Sequence, residues 1–120
     1  MSLQGIYCKS MAKRSFTEGT WRADPWFRNL CRALASCRNA EEIANFLRDV
    51  GTLSELKAWS ERFEVAKQIA GGKTYREITE KTGASTTTVT RVGSYLFDGE
   101  GGYTRALTSL THHPLSSRPR

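Results

Sequence analysis

Short hydroxyl-bearing side chains and one arginine recur at helical spacing between residues 86 and 91. A hydroxyl can donate and accept a hydrogen bond, a threonine methyl can pack on thymine, and a guanidinium can pair with phosphate or guanine. A surface built from these groups suits hydrogen bonding to base edges and phosphates. The set comprises Thr86, Thr87, Thr90 and Arg91.

The surrounding pattern predicts a helix-turn-helix over residues 74–96, which would bring these side chains onto one surface. Thr74 and Glu77 have the spacing of a capping box at the start of a first helix, and Ile78 is its inward residue. Gly83 follows where the chain must reverse, because a left-handed backbone is cheap only for glycine. The small Ala84 fits beneath this turn.

The second helix of the motif is predicted to begin after Ser85, whose hydroxyl can cap it. Its inward residues lie at helical spacing and are Val89, Val92 and Leu96. On propensity alone the β-branched run 85–92 would be a strand. The preceding glycine turn, the inward spacing and the lack of a second strand-like run favour a helix. Because its intrinsic propensity is poor, we expect this helix to fray more easily than its neighbours.

Other amphipathic helices are predicted around the motif. Three helix-start patterns precede it, namely Asp24-Pro25, Asn39 with Glu42, and Thr52 with Glu55. The third of these helices is the longest, and we take its apolar stripe as core: Leu56, Trp59, Phe63, Ala66 and Ala70, widened by Val65 and Ile69. A last short helix contains Tyr103, Ala106, Leu107 and Leu110. The sequence therefore predicts an all-α fold of about six short helices.

Length and composition indicate one domain with basic flanks. The chain has 120 residues, a formal net charge of +6 and a pI near 9.6. We divide it into a flexible basic arm (1–22), a helical domain (23–111) and a disordered tail (112–120). The positive charge favours an anionic partner such as nucleic acid, although basic flanks can equally serve only to keep a protein soluble.

The sequence offers little for other kinds of site. Three cysteines give no disulfide framework, and they lack zinc-site spacing with the only two histidines: Cys8, Cys31, Cys37, His112 and His113. We therefore expect no metal and no cofactor. No apolar run is long enough to span a membrane, so we expect a cytoplasmic protein. No paired carboxylates, activated nucleophile or phosphate-binding loop indicates an enzyme.

Four segments of the chain resemble the Trp repressor superfamily, and especially its YerC/YecD branch. They are RFEVA at Arg62–Ala66, GKTYREI at Gly72–Ile78, GAST at Gly83–Thr86 and VTRV at Val89–Val92. The resemblance extends from about Trp26 to Leu110. It implies an intertwined homodimer with one helix-turn-helix on each subunit. The positions that it implies for DNA contact are Tyr75, Arg76, Thr79, Ser85, Thr86, Thr87 and Thr90.

The same resemblance places an amino-acid effector slot at four further positions, where this sequence departs from the family. Arg62 and Arg91 match the two arginines of the slot, but Val92 stands where the family has glycine and Tyr95 where it has serine. A valine and a tyrosine should fill the space that an indole needs. We therefore expect that tryptophan is not a corepressor, and the sequence leaves open whether another small molecule is an effector.

Two functions of different kinds remain in view. The first is a homodimeric, sequence-specific regulator of transcription that binds double-stranded DNA as a repressor, with Thr86, Thr87 and Thr90 reading bases. The second is a non-enzymatic helical module that binds protein through a reused helix-turn-helix. The outward threonines and arginine favour the first, because a protein-binding surface more often exposes apolar or aromatic anchors.

Overall fold

The computed structural model describes residues 14–111, apart from the side chain of Thr111. Within this range it contains six α-helices, one short 3-10 helix at Trp21–Ala23 and no strand. The α-helices are α1 (Pro25–Ser36), α2 (Ala40–Val50), α3 (Leu53–Ala70), α4 (Tyr75–Thr82), α5 (Thr86–Asp98) and α6 (Gly102–Thr111). The prediction of an all-α fold is confirmed, and the strand alternative for 85–92 is wrong.

The chain divides into two units, one up to Leu47 and one from Arg48. In the first unit the 3-10 helix packs on α1. Asp24 caps α1 by accepting a hydrogen bond from the Phe27 amide at 2.8 Å. Its carboxylate also pairs with Arg14, whose guanidinium carbon lies 4.6 Å from the centre of the Trp26 ring. The start of α1 is thus held by a charged cap that is itself buried.

The predicted flexible arm falls only partly within the described residues. Residues 14–22 contain a turn and most of the 3-10 helix, with the Thr20 and Trp21 amides both donating to the Thr17 carbonyl at 3.0 and 2.9 Å. Residues 1–13 and the predicted tail 112–120 lie outside the described range.

The core of the second unit lies where α3, α4, α5 and α6 pack on one another. Its buried residues are Val65, Ala66, Ile69, Ile78, Ala84, Val89, Val92, Leu96 and Leu107. All four helices contribute to this cluster, and Ala84 adds the turn between α4 and α5. The core thereby fixes α4 and α5 against the C-terminal half of α3.

The apolar stripe expected along α3 differs from what the structure buries. Val65, Ala66 and Ile69 are its buried residues, whereas Trp59 of the predicted stripe is 39% exposed. Leu53, which precedes that stripe, is 65% exposed. The reason is that the core cluster with α4, α5 and α6 includes only the C-terminal half of α3, from Phe63 to Ala70.

The thiols of Cys31 and Cys37 are free and half-buried, while Cys8 lies outside the described residues. Between residues 14 and 111 no helix is both long enough and apolar enough to cross a membrane.

Candidate nucleic-acid interface

The connection between α4 and α5 is built from side-chain caps and one glycine. The Thr74 hydroxyl accepts a hydrogen bond from the Glu77 amide at 3.1 Å, which starts α4. Gly83 adopts φ +76°, a left-handed conformation that glycine tolerates, and ends the helix. Ser85 then caps α5 by accepting from the Thr88 amide at 3.1 Å. The sequence contained each of these local signals, and the expected helix-turn-helix is present.

One face of α5 is buried and the opposite face is open. Val89 and Val92 are at most 1% exposed and Leu96 is 4% exposed, so apolar burial holds this threonine-rich helix in place. The exposed side forms a shallow groove lined by Thr86, Thr87, Thr90, Arg91, Ser94 and Tyr95. The structure therefore brings together the hydroxyl and guanidinium side chains that the sequence predicted to share one surface, namely Thr86, Thr87, Thr90 and Arg91.

Ser94 also lines the groove, and it was not among the residues predicted from the sequence. It lies four positions after Thr90 and seven after Thr87, which are the intervals that place residues on one face of a helix. The same periodicity that selected the threonines would have included Ser94.

The candidate residues of α4 lie outside the lining of that groove. Arg76 is highly exposed, and its Nε lies 3.3 Å from the Glu80 carboxylate. Thr79 is half-buried and donates to the Arg76 carbonyl at 2.8 Å. Tyr75 is 37% exposed, and its hydroxyl lies against Gly93 of α5. Arg76 therefore offers a weakly held positive charge at the start of α4.

The four residues of the expected effector slot occupy different environments. Val92 points into the core, whereas Arg91 and Tyr95 belong to the exposed groove, with Tyr95 57% exposed. Arg62 is exposed on α3 and lies close enough to Tyr103 to affect its ionisation. Burial raises the pKa of Tyr103, and the positive charge of Arg62 partly opposes that shift. The described residues contain no cluster of histidine, cysteine or acidic side chains that could hold a metal ion.

Comparison with known proteins gives consistent results. A family model described as the Trp repressor protein matches residues 26–111. The protein YerC of Bacillus subtilis, whose function is uncharacterized, is 37% identical over 78 residues, which cover 65% of this chain and 75% of that protein.

Two solved structures share the fold. A TrpR-like protein of Eubacterium eligens is 41% identical with a TM-score of 0.68, over 72% of this chain and 89% of its own. A protein of Staphylococcus aureus described as a candidate Trp repressor is 32% identical with a TM-score of 0.73, over 82% of this chain and 98% of its own.

Proposed function

The chain belongs to the Trp repressor family, and from this premise we propose that it is a homodimeric repressor that binds specific sequences of double-stranded DNA. The observation that carries the proposal is the exposed face of α5. Its buried side is anchored in the core, and its open side presents a groove of hydroxyls and one guanidinium. A helix of this kind can lie in the major groove of DNA.

The side chains of α5 divide between base reading and backbone contact. Thr86, Thr87 and Thr90 project from the first turns of the helix, so they read base edges. Arg91 borders the same groove and pairs with phosphate. The amides near Ser85 and the positive end of the helix dipole also attract a phosphate there.

The exposed start of α4 supplies further contacts with the DNA backbone. Arg76 is the principal one, because between residues 14 and 111 its guanidinium is held only by a weak surface ion pair with Glu80. Tyr75 and Thr79 lie on the same short helix and complete the set that we assign to backbone contact.

Uncovered apolar surface supports the homodimer. No residue of α1 or α2 is buried within the single chain. Large apolar side chains that remain exposed on the helices include Trp26, Ile43, Val50, Leu53, Trp59 and Leu110. A second subunit would cover such surface, and twofold symmetry would match the palindromic sites that helix-turn-helix dimers bind.

Val92 supports repression without tryptophan. Its side chain is 1% exposed and belongs to the core, so an indole would have to displace packed apolar atoms. The helix-turn-helix is therefore held in its binding pose by its own core and needs no amino-acid ligand.

The function is tested by selecting bound duplexes from a random DNA pool, at two salt concentrations and with or without tryptophan. We expect one enriched, palindromic sequence whose binding does not depend on tryptophan. Enrichment of no sequence at either salt concentration would contradict the proposal.

The roles of individual residues are tested on the selected duplex. Thr87→Ala should change the preference between bases by about 1–3 kcal/mol. Arg76→Ala should weaken binding to every duplex alike and reduce the dependence of affinity on salt. The division of roles is wrong if both variants lose the same affinity on all duplexes. A protein-binding function would instead predict that neither substitution affects any duplex.

A further inference from the structure

The interior of α5 contains a glycine, although the backbone conformation at that position does not require one. Gly93 lies in the middle of the helix, and its φ is not in the left-handed region that favours glycine. Glycine lowers the stability of a helix interior relative to alanine. Gly93 is also buried, so we infer that the packing around it requires a residue with no side chain larger than hydrogen.

The space above Gly93 is occupied by the side chain of Tyr75. A Cβ added at Gly93 would overlap the Tyr75 hydroxyl oxygen, would lie 3.1 Å from Cζ of the same ring, and would lie 3.6 Å from Cδ1 of Ile69. At the first of these distances one group must move, and the atom that the Cβ would meet is the end of the Tyr75 side chain. The phenol therefore reaches from the first residue of α4 to the middle of α5, and it rests where only a glycine leaves room.

We propose that Tyr75 and Gly93 form a spacing contact that fixes the start of α4 relative to α5. Tyr75 would then be a positioning residue for DNA binding, in addition to any contact that its hydroxyl makes with phosphate. The inference rests on the proposed function, because it concerns how two DNA-contacting helices are held. Arg76 follows Tyr75 directly, and Thr90 lies one turn before Gly93. A change at the contact would therefore displace both the residues that contact the DNA backbone and the residues that read bases.

Substitutions at the two positions, alone and combined, test the contact. In Gly93→Ala the new methyl group and the phenol oxygen compete for one place, so either the ring is expelled or the helices move apart. Tyr75→Ala removes both the oxygen and the ring carbon that the new methyl group would meet. The harm done by Gly93→Ala should therefore be much smaller in the Tyr75→Ala background.

The experiment is a double-mutant cycle on the full chain with the duplex selected from the random pool. Gly93→Ala should lower the affinity of the otherwise unchanged protein for the duplex roughly tenfold. A loss of this size is expected when one or two hydrogen bonds to the DNA backbone are lost. In the Tyr75→Ala background the same substitution should cost less than about twofold. Gly102→Ala is the matched control, because a Cβ there meets nothing within 4 Å. It should leave the affinity unchanged in both backgrounds.

Thermal unfolding of the same variants gives a second readout. Gly93→Ala should raise the melting temperature in the Tyr75→Ala background, where the better helix former meets neither the phenol oxygen nor Cζ, and should fail to raise it with Tyr75 present. An equal loss of affinity in both backgrounds, or no loss in either, would overturn the inference. If the wild-type protein binds no duplex, the proposed function fails, and the melting temperatures alone decide whether the spacing contact exists.

Discussion

Val92 and Tyr95 stand three residues apart on α5 and face different surroundings. Val92 is 1% exposed within the core, while Tyr95 is 57% exposed at the end of the groove. Only the valine contributes to the packing that holds α5 in place. The expectation was that both side chains fill the space an indole needs; in the structure Val92 is packed in the core, whereas the Tyr95 ring lies on the surface.

Calorimetric titration with tryptophan tests this interpretation of Val92. We expect no saturable binding below millimolar concentration, because the indole would compete with a packed side chain. Titration of the same sample with the selected duplex should give a clear binding isotherm and so shows that the protein is active. Saturable tryptophan binding at micromolar concentration would contradict the prediction.

The charge of Asp24 makes the stability of the first unit depend on pH. Hydrogen bonding by Arg14, followed by that of the Phe27 amide, holds the pKa of Asp24 at about 2, below its usual 3.8, against the opposing effect of burial. A carboxylate whose pKa is lowered by folding stabilises the folded state above its unfolded pKa. That contribution is lost as the pH falls from about 3.8 to about 2.

We therefore expect Asp24→Asn to melt at a lower temperature than the wild type at pH 6. The difference between the two proteins should shrink as the pH is lowered through this window. Glu18→Gln changes an exposed carboxylate of the same segment and serves as the control. A difference that stays constant down to pH 2 would show that Asp24 contributes through its shape and hydrogen bonds but not through its charge.

At the scale of elements, the helix ends were the most predictable features. Asp24, Thr52, Thr74, Gly83 and Ser85 were each assigned a role at a helix end from a few neighbouring residues, and the structure confirms all five roles. Such signals are local, because a cap binds an amide only two or three residues away. The inward face of α5 was predictable for the same reason.

Gly83→Ala tests the turn between α4 and α5. An added Cβ would meet nothing within 4 Å, so the cost comes from the backbone alone, at φ +76°. We expect a loss of about 1–2 kcal/mol in the free energy of unfolding, measured with urea. Gly83→Asn should lose less, because asparagine tolerates this conformation better. Equal stability of the wild type and Gly83→Ala would mean that the turn adjusts without strain.

Features that join distant parts of the chain were not predictable. Tyr75 and Gly93 are separated by seventeen intervening residues, and no local pattern links a tyrosine to the glycine beneath it. The only signal was a glycine inside a helical pattern, which indicates a packing requirement without naming the partner. The buried side of α3 was misjudged for a related reason. Trp59 fits an apolar stripe, but burial depends on which helices happen to pack there.

At the scale of the whole molecule, the exposed apolar surface of one chain predicts that two chains associate. The association can be measured as the molecular mass in solution. Light scattering should give about twice 13.5 kDa for the wild type, as expected for a homodimer. Trp59→Glu should shift the mass toward one subunit, because it would place a charge in the apolar interface that we propose. Circular dichroism then tells whether the separated chain remains helical.

Ser60→Glu is the matched control for the dimer. It places the same charge at the next position of α3, where the serine hydroxyl is exposed and donates to the Leu56 carbonyl at 2.7 Å. We expect this variant to keep the mass of the wild type. Equal dissociation by both substitutions would show that charge on α3 in general, and not the surface around Trp59, controls assembly.

The base-reading role that we propose for the threonines of α5 also limits which double helices the molecule can bind. A threonine hydroxyl lies only two bonds beyond its Cα, so the peptide backbone of α5 must lie deep in the major groove before any hydroxyl meets a base. The major groove of B-form DNA is wide enough to admit a helix, whereas the major groove of A-form RNA is too narrow. In a competition assay, we therefore expect a ribonucleotide duplex of the preferred sequence to displace the deoxyribonucleotide duplex no better than unrelated polyanions do.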